Sequence, residues 1–183
     1  ENIFLFSSIF HPHPPFSPPS PWNKIYRGYE GLGPHIPDDL DMKDIAPLLC
    51  TRMSLERFGI SELDLKRLRN FYYACVSFGD YQVGRLIAEL KRRNMYDDTL
   101  IVVSSDHGEM LGDFSTVGKR SMKDGAAHIP LMIKMPGVSP CRRDDVCSLV
   151  DLAPTLLSYA GIPYDKNEYD GVDLFSERHS EVF

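Results

Sequence analysis

The spacing of apolar positions changes several times along the chain, and each change predicts a different element. Residues 2–9 are rich in aromatic and β-branched side chains, which is typical of a strand, and closely spaced prolines at 11–21 end it. From residue 61 apolar side chains recur every three or four positions. This spacing predicts an amphipathic helix that Ser61 caps and that ends near Asn94.

The second half of the chain continues this alternation. Residues 99–105 form an unbroken apolar run, which is typical of a strand covered on both faces, and residues 130–135 predict another strand. Residues 148–160 predict a second amphipathic helix, with Gly161 and Pro163 as its stop signals. Strands that alternate with helices indicate a largely parallel sheet with helices on both faces.

A long connection punctuated by Gly and Pro links the first strand to the first helix. Most connections of this length without elements of their own are functional or mobile, and we expect residues 22–47 to wrap the surface of the domain. Tyr26, Arg27 and Tyr29 lie within it. Their side chains either contact a substrate or hold the loop on the domain.

Composition narrows the class of protein. The 183 residues are 43% hydrophobic and 25% charged, which is ordinary for one compact domain. A net charge of -6 without a basic block argues against nucleic-acid binding, and no apolar run approaches the roughly 20 residues needed to cross a bilayer. Four cysteines are too few for a disulfide scaffold, although Cys141 and Cys147 either form a bridge or remain free thiols.

Candidate chemistry begins where the clearest strand ends. Asp106 and His107 directly follow the run 99–105, and ligands of open parallel sheets bind beyond the carboxyl ends of the strands. One carboxylate and one imidazole suit part of a divalent-metal site, and Gly108 permits a turn that brings both to one ion. The alternative is an aspartate that caps the next loop and a histidine that merely packs.

Two further residues are candidates for the same sheet edge. His13 follows the first predicted strand, where prolines fix its direction for proton transfer or anion binding, or simply as part of a rigid loop. Lys119 lies 12 residues beyond His107, close enough to fold back and neutralise charge on a bound oxyanion. A lysine in a loop is otherwise simply solvated.

Together these residues carry a resemblance to a known family. The order and spacing of four blocks, with HPHPPF after the first strand, resemble the latter half of the catalytic domain of a type I sulfatase, of the alkaline phosphatase superfamily; the blocks span residues 72–113, 118–137, 148–163 and 170–174. The resemblance implies an alkaline-phosphatase-like α/β fold with a mostly parallel sheet between helices. It assigns residues 1–175 to the catalytic domain and 176–183 to the start of a truncated C-terminal subdomain.

The resemblance also implies an activity and a site. Type I sulfatases hydrolyse sulfate esters with a formylglycine nucleophile, made from Cys or Ser in a C/S-x-P-x-R motif, and with a divalent metal that is usually Ca²⁺, with Mn²⁺ or Mg²⁺ as alternatives. By position Asp106 and His107 match metal ligands, Lys119 matches the lysine that contacts sulfate, and His13 matches the histidine near the leaving-group oxygen. Small sulfate esters or glycans are the implied substrates, in a secreted, periplasmic or lysosomal setting.

Two expected features of the family are absent from the sequence. The chain contains no C/S-x-P-x-R motif, and no Asp-Asp metal pair stands before His13. We therefore expect the nucleophile and further ligands in a segment before Glu1, and we expect this chain alone to be inactive. Two alternatives remain open: a phosphonate monoester or phosphodiester hydrolase of the same superfamily, and a degenerate domain without catalysis. The sequence does not fix an oligomeric state.

Overall fold

The computed structural model describes residues 3–31, 33–45 and 52–178. Its helices are α1 Leu55–Phe58, α2 Glu62–Arg92, α3 Asp124–Ala127 and α4 Leu152–Tyr159, and its strands are β1 Ile101–Ser104 and β2 Leu131–Lys134. The chain divides into two compact units, Glu1–Gly137 and Val138–Phe183. The division expected at residue 175 stays a prediction, and its residues 179–183 lie outside the described residues.

The long helix α2 has the ends that its sequence predicts. The Ser61 hydroxyl accepts the Asp64 backbone N–H at 3.1 Å, which satisfies one of the free donors of the first turn. Asn94 is left-handed with φ 56°, and the Met95 N–H donates to the Leu90 carbonyl at 2.9 Å. This C-terminal cap confirms the predicted stop.

The connection after the first predicted strand wraps α2, as its length predicts. The Trp22 ring packs 5.3 Å from Tyr81, and the Tyr26 and Tyr29 rings lie 5.8 and 6.1 Å from Tyr73. These contacts show two tyrosines of the loop holding it on the helix. Residues 32, 46 and 47 of the predicted connection lie outside the described residues.

The two strands pair in an orientation that the local pattern does not predict. β1 pairs with β2 antiparallel, with Ile101 opposite Lys134 and Ser104 opposite Leu131. A parallel pair needs a crossover, usually a long helix, to return the chain to the start of the first strand. The segment between β1 and β2 contains only the four-residue helix α3 and irregular loops. The chain therefore reverses beside β1 instead of crossing over.

The first predicted strand is not formed among the described residues. Residues 3–10 have no ladder partner there, and the side chains of Phe4 and Phe6 are 76% and 81% exposed. A strand exists only where a neighbour takes up its backbone N–H and C=O groups. The apolar pattern of this segment is therefore present without the pairing that would make it a strand.

The second unit is built around a buried carboxylate. A 3₁₀ turn, Leu149–Asp151, leads into α4, which lies inside the predicted helix 148–160. Asp151 is fully buried, and its two oxygens accept the N–H groups of Ser148 at 2.7 Å and Val172 at 2.9 Å. Buried carboxylates are stable only when hydrogen-bonded in this way.

Two sequence questions about thiols and membranes are also answered for the described residues. Cys141 and Cys147 are exposed free thiols, so the bridge left open by their spacing is not formed. Within the ranges that the structure covers, no helix has both the length and the apolar character to span a bilayer.

Candidate active site

The chain turns out of β1 so that Asp106 and His107 converge. The Asp106 Oδ1 accepts the His107 backbone N–H at 3.0 Å, while its Oδ2 lies 3.5 Å from the His107 Nε2. The His107 Nδ1 lies 2.8 Å from the Gly108 carbonyl, which can only accept, so Nδ1 carries the hydrogen. In the neutral ring the Nε2 lone pair is then free to act, beside a carboxylate whose side chain is 84% exposed.

Gly108 is required for close approach of two backbones rather than for an unusual dihedral. It is not among the glycines with positive φ, but a Cβ at this position would lie 2.2 Å from the Gly125 carbonyl oxygen. Its N–H donates to Ala126 and the Glu109 N–H donates to Gly125, both at 2.7 Å. These two bonds fix the segment after His107 against α3.

His13 lies beside His107 although the two are far apart in sequence. Their ring centroids are 6.4 Å apart, and the His13 Nδ1 donates to the Pro14 carbonyl at 2.7 Å. The neighbouring His11 instead packs edge-on against Phe78 of α2, with 5.0 Å between centroids. The proline-rich loop therefore brings His13, and not His11, to the end of β1.

The position of the Lys119 backbone is set by hydrogen bonds of the preceding residue, Gly118. The Gly118 carbonyl accepts the Met110 N–H at 2.8 Å, and the Gly118 N–H donates to the Glu109 carboxylate. The backbone leading into Lys119 is thus fixed against the segment that follows His107. No hydrogen bond or ion pair engages the Lys119 ammonium within the described ranges.

A strained loop connects the paired acid and imidazole to Lys119. The backbone φ values of Leu111, Phe114 and Ser115 are 48°, 52° and 55°. Residues other than glycine rarely occupy this left-handed region. Arg69 of α2 supports this loop, since its Nη1 donates to the Leu111 carbonyl at 2.7 Å and lies 3.7 Å from Asp113 Oδ1. Arg69 stands among other helical arginines, and nothing in its sequence context reveals this role.

The pKa values of two other side chains near this region, Tyr72 and Cys75, are raised. Burial, together with the negative charge of Glu109, raises the pKa of Tyr72, which lies on the face of α2 nearest the loop. Burial likewise raises the pKa of the Cys75 thiol, which is fully enclosed. A buried thiol of raised pKa is not a reactive nucleophile.

The donor set fits part of a metal site but not a complete one. Asp106 and His107 supply a hard carboxylate and a neutral imidazole with its Nε2 free, which is the chemistry of two ligands. In the part of the chain that the structure describes, no group of three or more His, Cys, Asp or Glu side chains is arranged to hold a metal ion. These two residues are therefore suited to share an ion with ligands from elsewhere.

Comparison with known proteins places this geometry in a class. The solved phosphonate monoester hydrolase SpPMH of Silicibacter pomeroyi is similar over 94% of this chain and 37% of its own, with a TM-score of 0.77 and 32% identity. This similarity confirms the alkaline-phosphatase-like α/β fold class that the resemblance implies. The antiparallel pair β1–β2 therefore lies within a domain of this fold class.

The family follows from sequence comparison. The Sulfatase family model matches residues 1–162, so the chain belongs to the sulfatase family. The choline-sulfatase of Rhizobium meliloti is 36% identical over 93% of this chain, and the arylsulfatase of Clostridium perfringens is 30% identical over 98%. The chain spans 34% and 39% of the length of these two relatives, which is between a third and two fifths. The roles of His13, Asp106, His107 and Lys119 stay predictions.

Proposed function

We propose that this chain is part of the catalytic domain of a sulfuric ester hydrolase, in which His13, Asp106, His107 and Lys119 surround the sulfate group. The observation that carries the proposal is the convergence of His13 and His107, 6.4 Å apart, with Asp106 Oδ2 3.5 Å from His107 Nε2. Family membership supports the same chemistry.

The charged and metal-ligating residues have different roles toward the anionic ester. Asp106 and His107 would hold a divalent metal, Ca²⁺ in the first instance, which supplies Lewis-acid charge neutralisation when bound. The Lys119 ammonium neutralises charge that develops on the sulfate oxygens in the transition state. The nucleophile, a formylglycine in related sulfatases, belongs to sequence outside these residues.

His13 protonates the leaving alcohol in this scheme. Its Nδ1–H is committed to the Pro14 carbonyl, so only Nε2 can face the substrate. A proton on Nε2 makes the ring an imidazolium, which can donate to the departing oxygen. The surrounding prolines restrict the orientation of the His13 ring, so little orientational freedom is lost when the substrate binds.

The relatives support only broad classes of substrate. The name of the choline-sulfatase relative supports a small sulfate ester, and a sulfated glycan is the second substrate class. Phosphonate monoester hydrolysis is a second candidate function, because the SpPMH structure is similar over nearly all of this chain. An imidazole ligand at His107 is also compatible with Mn²⁺, a more borderline ion than Ca²⁺.

The test compares two esters of one alcohol. We expect the full-length enzyme that contains this chain to hydrolyse para-nitrophenyl sulfate faster than para-nitrophenyl phenylphosphonate, and we expect the 183-residue chain alone to hydrolyse neither. Faster turnover of the phosphonate would favour the second function. Absence of turnover on both, in a full-length protein that carries the C/S-x-P-x-R motif, would contradict both.

A further inference from the structure

Glu109 lies between the paired acid and imidazole and the loop that carries Lys119. Its carboxylate accepts the N–H of Gly118, and the next residue, Met110, donates its N–H to the Gly118 carbonyl at 2.8 Å. The first bond fixes the peptide plane before Gly118, and the second fixes the plane that joins Gly118 to Lys119. Together the two bonds set both backbone dihedrals of Gly118.

Gly118 needs this external restraint. Its φ is +87°, a conformation that side chains rarely allow, so glycine is required there and no Cβ limits its rotation. A Cβ at this position would also lie 2.1 Å from Cε of Met53. The direction in which Lys119 leaves the loop therefore depends on hydrogen bonds from other residues.

Glu109 is itself held in place through its backbone. Its backbone N–H donates to the Gly125 carbonyl at 2.7 Å, beside the parallel bond from Gly108 to Ala126. A restrained acceptor of this kind can transmit its position to the residue it binds.

We propose that Glu109 is a positioning residue for Lys119, acting through the N–H of Gly118 and keeping the lysine aligned with the ester. The inference rests on the proposed function, since it assumes that Lys119 contacts the anion. It adds a residue that touches neither metal nor substrate.

A double-mutant cycle in the full-length enzyme tests the coupling. We expect Lys119→Ala to lower kcat/KM for para-nitrophenyl sulfate by about a hundredfold, as for loss of an oxyanion contact. Misplacement of a group by a fraction of an ångström is costly, so we expect Glu109→Ala to lower kcat/KM about tenfold. Combined with Lys119→Ala, the Glu109 substitution should cost nothing more, because it acts only through the lysine.

Conservative variants separate positioning from folding. Glu109→Gln keeps an acceptor oxygen at the same reach and should recover most of the activity that Glu109→Ala loses, whereas Glu109→Asp keeps the charge but falls short of Gly118. The aspartate variant also serves if the alanine variant fails to fold. Glu168→Ala, at an exposed position of the second unit, is the matched control and should match the wild-type rate.

The outcomes distinguish the two proposals. Additive losses in the double variant, or a Glu109→Asp enzyme as active as wild type, would overturn the role of Glu109 and leave the sulfatase proposal intact. Wild-type kcat/KM in Lys119→Ala would instead remove the lysine from the proposed function, and the positioning role with it.

Discussion

Asp106 and Asp151 show two opposite uses of a carboxylate in one chain. Asp151 is fully buried and both of its oxygens accept backbone N–H groups, so its bonding capacity is used inside the fold. The Asp106 side chain is 84% exposed, and its Oδ2 faces an imidazole nitrogen that has no hydrogen to donate in the neutral tautomer. The first arrangement stabilises the fold, and the second leaves electron pairs available to a cation.

The largest expected effect tests the exposed member of this comparison. We expect Asp106→Ala in the full-length enzyme to lower activity about a thousandfold, because metal ions contribute several kcal/mol to such transition states. The unfolding free energy should change by less than about 0.5 kcal/mol, as at other exposed positions. Calorimetric titration with calcium measures the lost affinity, and thermal unfolding measures stability.

The control for Asp106 is an aspartate of equal exposure. The Asp144 side chain is also 84% exposed, and its one ion-pair partner among the described residues is an exposed arginine, Arg142. Asp144→Ala should therefore leave calcium binding and activity unchanged. Undiminished calcium affinity in Asp106→Ala would remove Asp106 from the metal site.

The buried member should behave in the opposite way. Asp151→Ala leaves the N–H groups of Ser148 and Val172 without partners in the second unit, at a cost of about 3 kcal/mol. Amide exchange in α4 should then accelerate about a hundredfold, measured by hydrogen–deuterium exchange. Exchange rates equal to those of Asp144→Ala would show that these bonds contribute little.

The smallest effect concerns a third carboxylate, on the surface of α2. Hydrogen bonds from Arg92 and Arg93 lower the pKa of Glu89 to about 2. Because this folded value lies below the unfolded value of about 4.3, the stabilisation is present at neutral pH and is lost as the pH falls toward 2. The melting temperature of the wild type should therefore exceed that of Glu89→Gln slightly at pH 6.

The same difference in melting temperature should vanish near pH 2 and shrink in high salt, as for exposed ion pairs. Glu168→Gln, which lacks such partners among the described contacts, is the control. A difference between wild type and Glu89→Gln that persists at pH 2 would assign the effect to something other than the charge of Glu89.

Local sequence signals predicted the elements whose causes are local. The helix α2 begins at the Ser61 cap and ends at the left-handed Asn94, since both depend on residues within one turn. The pairing of β1 was not predicted in orientation, because it depends on the path of the 26 residues that follow it. The strand expected at residues 2–9 is not formed among the described residues for the same reason, as pairing is not a local property.

The residues of the candidate site also differ in whether the sequence reveals them. Asp106 and His107 stand out in sequence because they directly follow an apolar run, and the loop positions of His13 and Lys119 make them candidates to which the family resemblance gives specific roles. Arg69 and Glu109 do not stand out, because each acts through a backbone group of another residue, 42 and 9 positions away respectively, and no local pattern marks such a bond. The bonds that position a site are less visible in sequence than the groups that do its chemistry.

The close approach of Gly108 to Gly125 limits substitution at position 108 for a steric reason, whereas substitution of the charged site residues is limited by the reaction. An exposed charged residue such as Asp106 can be replaced with little effect on the fold, and only the reaction suffers. A methyl group at position 108 would meet a carbonyl oxygen at 2.2 Å, whatever the reaction. In a library of variants selected for folding alone, we therefore expect Asp106 to vary freely while position 108 stays glycine.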